Sequence, residues 1–151
     1  MSRLDRETTL RKGQDTERAT LLVAEDHEDT RSLLRFILQR AGYRVVEAVT
    51  GSEAVSLAER EHPDLILTDL HMPQVDGVEA IRRIRSVIEL RDIPILAMSG
   101  DGRVGMELFL NIGQFGGGFI DYLAKPFNVE TVLEQIDLIL SRRKQKSANG
   151  A

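Results

Sequence analysis

A chain of 151 residues without one cysteine must stand on a hydrophobic core, and disulfide frameworks, thiolate metal sites and cysteine nucleophiles are excluded. Its three histidines (His27, His62, His71) are scattered without zinc spacing. Five basic and four acidic residues fall in 1–19, and four basic and no acidic ones in 141–151, leaving eleven basic against twenty acidic, roughly −9, for 20–140; such an acidic body argues against nucleic-acid binding.

The first nineteen residues, MSRLDRETTLRKGQDTERA, are charged and weakly periodic, and read as a flexible extension without the apolar core of a signal peptide. No segment approaches bilayer length, so no membrane partner is expected and a cytoplasmic protein is the default. From Thr20 the pattern changes. TLLVA reads as a buried strand, and Leu33, Leu34, Ile37, Leu38 and Ala41 follow at helical spacing until Gly42 stops the helix. RVVEAV is the second strand, and SEAVSLAERE a helix begun by Ser52. DLILTD is the third strand; Asp76 then caps a helix with Val78, Ile81, Ile84 and Ile88 on one side. IPILAMS is the fourth strand, a less regular helical stretch lies around 103–113, and FIDYLA is the fifth strand. The last helix starts after Asn128 and carries Val129, Val132, Leu133, Ile136 and Ile139 on one stripe; the residues from 143 onward read as a basic, disordered tail.

Five strands alternating with five helices predict an α/β fold, a doubly wound parallel sheet covered on both faces. In such sheets chemistry sits at the carboxyl ends of the strands, where strand order reverses. Strand one ends in Glu25 and Asp26, and strand three in Asp69. Neighbouring strands lie about 4.8 Å apart, so these carboxylates would converge. Three carboxylates in a small volume need a counter-charge or a shared proton. A divalent cation with oxygen ligands is the natural remedy, and Mg2+ suits best because it takes one or two carboxylates, keeps waters and accepts a phosphate oxygen. Strand four ends in Ser99, and strand five leads to Lys125, the only lysine between Lys12 and Lys144. A hydroxyl and an ammonium aimed at the same pocket would bind phosphoryl oxygens. Asp64 and Asp76 are poorer acceptors, since one starts a strand and the other caps a helix.

The doublet Glu25-Asp26, TDLHMPQVDG at 68–77, MSG at 98–100 and DYLAKPF at 121–127 together resemble the receiver domain of bacterial response regulators over about residues 20–142. The resemblance implies a flavodoxin-like fold with strand order 2-1-3-4-5. It implies Asp69 as the phosphoacceptor, Asp26 as a direct Mg2+ ligand, Glu25 acting through water, and the backbone carbonyl of His71 completing the protein ligands. It further implies Ser99 and Lys125 as phosphoryl-binding groups, Tyr122 as a switch residue, a cis Lys125–Pro126 peptide, and Pro73 and Gly77 as shapers of the loop after Asp69. The implied donor is a sensor histidine kinase or a histidine phosphotransfer protein. The implied output is a downstream protein target, bound on the face of helix four, strand five and helix five, since the few residues after the last helix leave no room for a DNA-binding module. One stretch departs from the family pattern: NIGQFGGGFIDYL is longer than usual, and Gly116–Gly118 are expected to make that surface mobile or partner-adapted.

Two rival readings share parts of this pattern. A receiver used only as an interaction module would carry the fold and never accept phosphate. A phosphatase of the haloacid-dehalogenase type also uses an aspartate after a strand, but wants a second aspartate two residues on, where this chain has His71.

Overall fold

Alternate residues of each central strand point to opposite faces, and both faces of this sheet are covered. The computed structural model describes residues 19–72, 74–103, 105, 107 and 120–149, and only the backbone beyond Arg143. In chain order the elements are β1 (Thr20–Ala24), α1 (Glu28–Arg40), β2 (Arg44–Ala48), α2 (Gly51–Glu61), β3 (Leu65–Asp69), α3 (Gly77–Ser86), a 3-10 turn (Ile88–Leu90), β4 (Ile95–Ser99), β5 (Ile120–Ala124) and α4 (Val129–Asn149). All strand pairs are parallel and the order is β2-β1-β3-β4-β5, the doubly wound arrangement expected.

Leu21 and Val23 of β1, Leu65 and Leu67 of β3, and Leu96 and Met98 of β4 pack with Leu34 and Leu38 of α1 and Val132 and Ile136 of α4. Leu22, Ile66, Ile95 and Ala97 point the other way, onto Ala54 and Leu57 of α2 and Ile81 and Ile84 of α3. Every residue of β3 and β4 is buried, which accounts for their unbroken apolar runs. Burying each large aliphatic side chain there contributes about 1.5–3 kcal/mol, so a charged residue in place of Ile66 would break the fold.

Local chemistry sets the helix ends. Asp76 Oδ1 accepts the Glu79 amide at 2.9 Å and Asn128 Oδ1 that of Thr131 at 2.8 Å, each satisfying a donor of the first turn. Gly42 adopts φ 99° just past α1. The cap of α2 is Thr50 rather than Ser52: its hydroxyl accepts the Glu53 amide at 3.1 Å, three residues on, and Ser52 lies inside the first turn. Helix α3 ends at Ser86, so Ile88 falls in the 3-10 turn and is exposed rather than on the apolar stripe. Leu33 and Val129 are also exposed, at the borders of their stripes. Helix α4 continues to Asn149, through residues expected as a disordered tail. Arg, Lys, Gln and Ala are good helix formers, and neither glycine nor proline interrupts before Gly150. Of the helix expected around 103–113, Arg103, Gly105 and Glu107 are described and helical. The expected extension up to residue 18, Pro73 and Gly116–Gly118 lie outside the described residues.

Candidate functional site

The chain order reverses at β1, which has β2 on one side and β3 on the other. Ala24 of β1 stands beside Thr68 of β3, so the residues that follow, Glu25 and Asp69, face each other at the carboxyl edge of the sheet. Backbone bonds extend the ladder at that edge: the Glu25 amide donates to Ala48 O at 3.0 Å, the Leu70 amide to Met98 O at 2.9 Å, and the Lys125 amide to Ser99 O at 2.9 Å. The strands thus bring their ends into one rim.

Into this rim comes Lys125. Its Nζ donates to Asp69 Oδ2 at 2.9 Å and to Glu25 Oε1 at 2.9 Å. The other Asp69 oxygen, Oδ1, accepts the His71 amide at 2.9 Å. Carboxylate oxygens of Glu25, Asp26 and Asp69 lie within 4.8 Å of one another. Glu25 is fully buried and Asp69 nearly so, whereas Asp26 is exposed at the mouth. The second Glu25 oxygen, Oε2, is buried with no hydrogen-bond partner among the described residues.

These positions set the charges. Burial, and then the neighbouring Asp69, push Glu25 up to about 8; Lys125 pulls the other way and does not prevail. Burial also pushes Asp69 upward, but hydrogen bonding with Glu25, the His71 amide and Lys125 outweighs it and holds Asp69 below the ordinary carboxylate value. For Lys125 burial favours the neutral amine, and the bonds to Glu25 and Asp69 overcome it, so its ammonium is stabilised. The arrangement favours an ionised Asp69 paired with the Lys125 ammonium and resists ionisation of the buried Glu25 behind it.

Ser99 ends β4 one residue beyond Met98, the register partner of Asp69. It is buried, and its hydroxyl is engaged with the Asp101 backbone, accepting the amide at 2.9 Å. Tyr122, on β5, is half-buried; its hydroxyl donates to Ser99 O at 3.0 Å. The Lys125–Pro126 peptide is cis. The His71 side chain is exposed. Gly77 begins α3 where a Cβ would run into the Asp69 carbonyl and stand 2.6 Å from Leu70 Cα, so only glycine lets that helix approach β3.

Two contributors were not visible in the sequence. Arg31 of α1 donates from Nη1 to the Glu25 carbonyl at 3.1 Å and pairs through Nε with Glu47 at 3.4 Å, which fixes the backbone of the acidic doublet. Nothing marks it among the chain's many arginines. Gly105, under the Tyr122 ring, is the other; its signal was only one of several glycines in an irregular stretch.

The response regulator receiver domain matches residues 21–137. The chain belongs to that family. It is 33% identical over 117 residues to the polar-differentiation response regulator DivK of Brucella abortus, which spans 78% of this chain and 92% of that protein. Among solved structures, the receiver domain of the Pseudomonas aeruginosa sensor histidine kinase PA1611 is 35% identical, with a TM-score of 0.67 over 82% of this chain and 95% of that one; it holds a magnesium ion coordinated in its active-site cleft. The chemotaxis response regulator CheY4 of Vibrio cholerae superposes with a TM-score of 0.70 at 30% identity, over 80% of this chain and 98% of that one. The chain is therefore a two-component signalling receiver rather than a conventional enzyme. No helix among the described residues is long and apolar enough to cross a membrane.

Proposed function

We propose that this receiver, over residues 20–142, takes a phosphoryl group onto Asp69 from the phosphohistidine of a sensor histidine kinase or histidine phosphotransfer protein, and that the acyl phosphate switches a protein-binding face. The single observation that carries this reading is the Lys125 ammonium held at 2.9 Å from both Asp69 and Glu25 at the switch point of the sheet. An interaction module that never accepts phosphate has no use for such a buried charged cluster, which costs desolvation free energy.

The residues present fit a divalent cation. The orphaned Glu25 Oε2 and the three carboxylates within 4.8 Å supply hard oxygen donors with surplus negative charge. Asp26 and Asp69 would hold Mg2+ directly, Glu25 through water, and His71 through its backbone carbonyl. The ion, when bound, offsets negative charge on the carboxylates and on the phosphoryl oxygens.

The rest is done by the chain. Asp69, held below the ordinary carboxylate value, stays ionised and nucleophilic at neutral pH. One of its oxygens forms the bond to phosphorus while the phosphorus–nitrogen bond of the donor breaks; the electron pair leaves with the donor imidazole, which departs neutral because its other ring nitrogen carries a proton. Lys125 is placed to move its hydrogen bond from the carboxylate to an incoming phosphoryl oxygen. Ser99 supplies a second donor when its hydroxyl turns from Asp101. Tyr122 couples that turn to the face formed by the helical residues Arg103, Gly105 and Glu107, β5 and α4. The likeness to DivK along 92% of that relative supports reading the output as a protein target.

Intact-mass analysis with acetyl phosphate and Mg2+ tests the reading. One phosphoryl adduct is expected on the wild type and none on Asp69→Asn. An unmodified wild type under donor excess, or an adduct that survives Asp69→Asn, overturns it. Steady phosphate-monoester turnover abolished by Asp69→Asn would instead support the phosphatase alternative.

A further inference from the structure

A closed circuit of contacts joins Ser99 to Tyr122 through Gly105. The Asp101 amide donates to Ser99 Oγ at 2.9 Å, and Gly105 donates to Asp101 O at 3.2 Å in the turn that follows. A Cβ on Gly105 would stand 2.6 and 2.7 Å from two ring carbons of Tyr122 and 3.0 Å from its hydroxyl oxygen. The tyrosine returns to the start, donating to Ser99 O at 3.0 Å, while its ring packs against the core cluster of Ile95 and Ala97.

We infer that Gly105 is the positioning residue for Tyr122: its missing side chain is the space that lets the ring lie inward before any phosphoryl group is present. The inference rests on the proposed receiver function only for its consequence, because the contact belongs to the unphosphorylated protein. The atoms that a methyl at 105 would meet are the far end of a side chain, not backbone. The ring can swing away at little cost to the fold, so Gly105→Ala drives Tyr122 outward instead of unfolding the chain. Position 105 thereby sets the balance between the two tyrosine states. When Ser99 turns toward a phosphoryl oxygen it releases Asp101, and the turn carrying Gly105 shifts against the ring.

The same helix contains its own control. A Cβ on Gly102 would meet nothing within 4 Å, so Gly102→Ala makes the same chemical change in the same helical stretch without touching Tyr122. The experiment labels tyrosine rings with 13C and reads their relaxation by a soluble paramagnetic agent, with urea midpoints to confirm folding. The chain has two tyrosines and no tryptophan, and the buried Tyr43 serves as internal reference. Gly105→Ala is expected to raise the relaxation of Tyr122 several-fold, with Tyr43 unmoved and Gly102→Ala like wild type. A folded Gly105→Ala protein with wild-type Tyr122 relaxation overturns the inference, as does an equal effect of Gly102→Ala. In the wild type, cross-relaxation between the Tyr122 ring and the Gly105 α-protons is also expected, and its absence overturns the inference without any variant. With acetyl phosphate and Mg2+, Tyr122 of Gly105→Ala is expected to stay outward, because the methyl still occupies the place of the ring; an inward return would overturn the inference. Failure to form an adduct at all would count against the phosphoacceptor reading and leave the tyrosine result standing.

Discussion

Lys125 and Asp69 are 56 positions apart in sequence, yet Nζ and Oδ2 meet at 2.9 Å. The parallel ladder makes the meeting unavoidable. Asp69 closes β3, β4 separates it from β5, and Lys125 follows β5 with its amide bound to Ser99 O. The cis peptide that follows lies within the same turn.

That pairing yields the first prediction. Removing the ammonium by Lys125→Met leaves the transferring phosphoryl group without its fixed cation. A positioned electrostatic donor of this kind is worth about 2.7–4 kcal/mol in the transition state, so phosphorylation by acetyl phosphate should slow by about a hundredfold or more. Lys125→Arg should not restore the rate, because a planar fork cannot take the place of a compact ammonium between two carboxylates. Rates from a phosphate-affinity gel decide the matter; a Met variant as fast as wild type would remove Lys125 from the mechanism.

Glu25 makes cation binding depend on pH. With its ionisation pushed up to about 8, it carries a proton at neutral pH that a cation must displace. Mg2+ affinity should therefore rise about tenfold per pH unit between 6 and 7 and level off above about 8. Glu25→Gln, which has no such proton, should flatten the profile. Titration by calorimetry in buffers of different ionisation enthalpy reads both the affinity and the proton released. The metal-free protein should show the opposite trend in stability. Because the folded value lies above the ordinary 4.5, the contribution of Glu25 is full below about 4.5 and is lost as pH rises through about 8.

Gly77 offers a sharp contrast with Gly105. A methyl at 77 meets the backbone of Asp69 and Leu70, which cannot swing aside. Gly77→Ala should cost about 1–3 kcal/mol of stability, the usual range for overpacking. It should also slow phosphorylation, because the acceptor strand has to shift. Urea denaturation and the adduct rate measured together test this, and an Ala variant with the wild-type midpoint would refute the close approach.

The sequence made the fold legible wherever a single period dominated. TLLVA, DLILTD and IPILAMS lie in the middle of the sheet and are covered on both sides, so continuous apolar runs announce them. Asp76 and Gly42 announced helix ends because their side chains, or the lack of one, serve the local backbone directly. Reading failed where two candidates compete over a few residues. Thr50 and Ser52 can both cap a helix, and only the position of Glu53 relative to each decides. Ile88 keeps the helical spacing of Ile81 and Ile84 although the helix has already ended at Ser86. The strand ends of the site were readable because acidic doublets and a lone lysine are conspicuous. Their mutual distances were not, and neither was the backbone clamp from Arg31, whose partner is a carbonyl without sequence identity.

The far end of the sheet supplies the last prediction. Asp64 Oδ2 accepts the Thr20 amide at 2.8 Å, and the Asp64 amide donates to Thr20 O at 2.8 Å, closing the start of β1 against the start of β3. Arg143 of α4 donates to the Asp64 carbonyl and lies 3.8 Å from its carboxylate. The carboxylate pair is partly exposed and should contribute little, about 0–1 kcal/mol; the bond to the carbonyl should contribute about 0.5–1.5 kcal/mol. Arg143→Ala should therefore cost about that amount and speed amide exchange through the last two turns of α4. Asp64→Asn keeps the carbonyl and an oxygen for Thr20, and should cost less than Arg143→Ala. If charge rather than the carbonyl bond anchored α4, the order of the two variants would reverse and high salt would erase the difference between them.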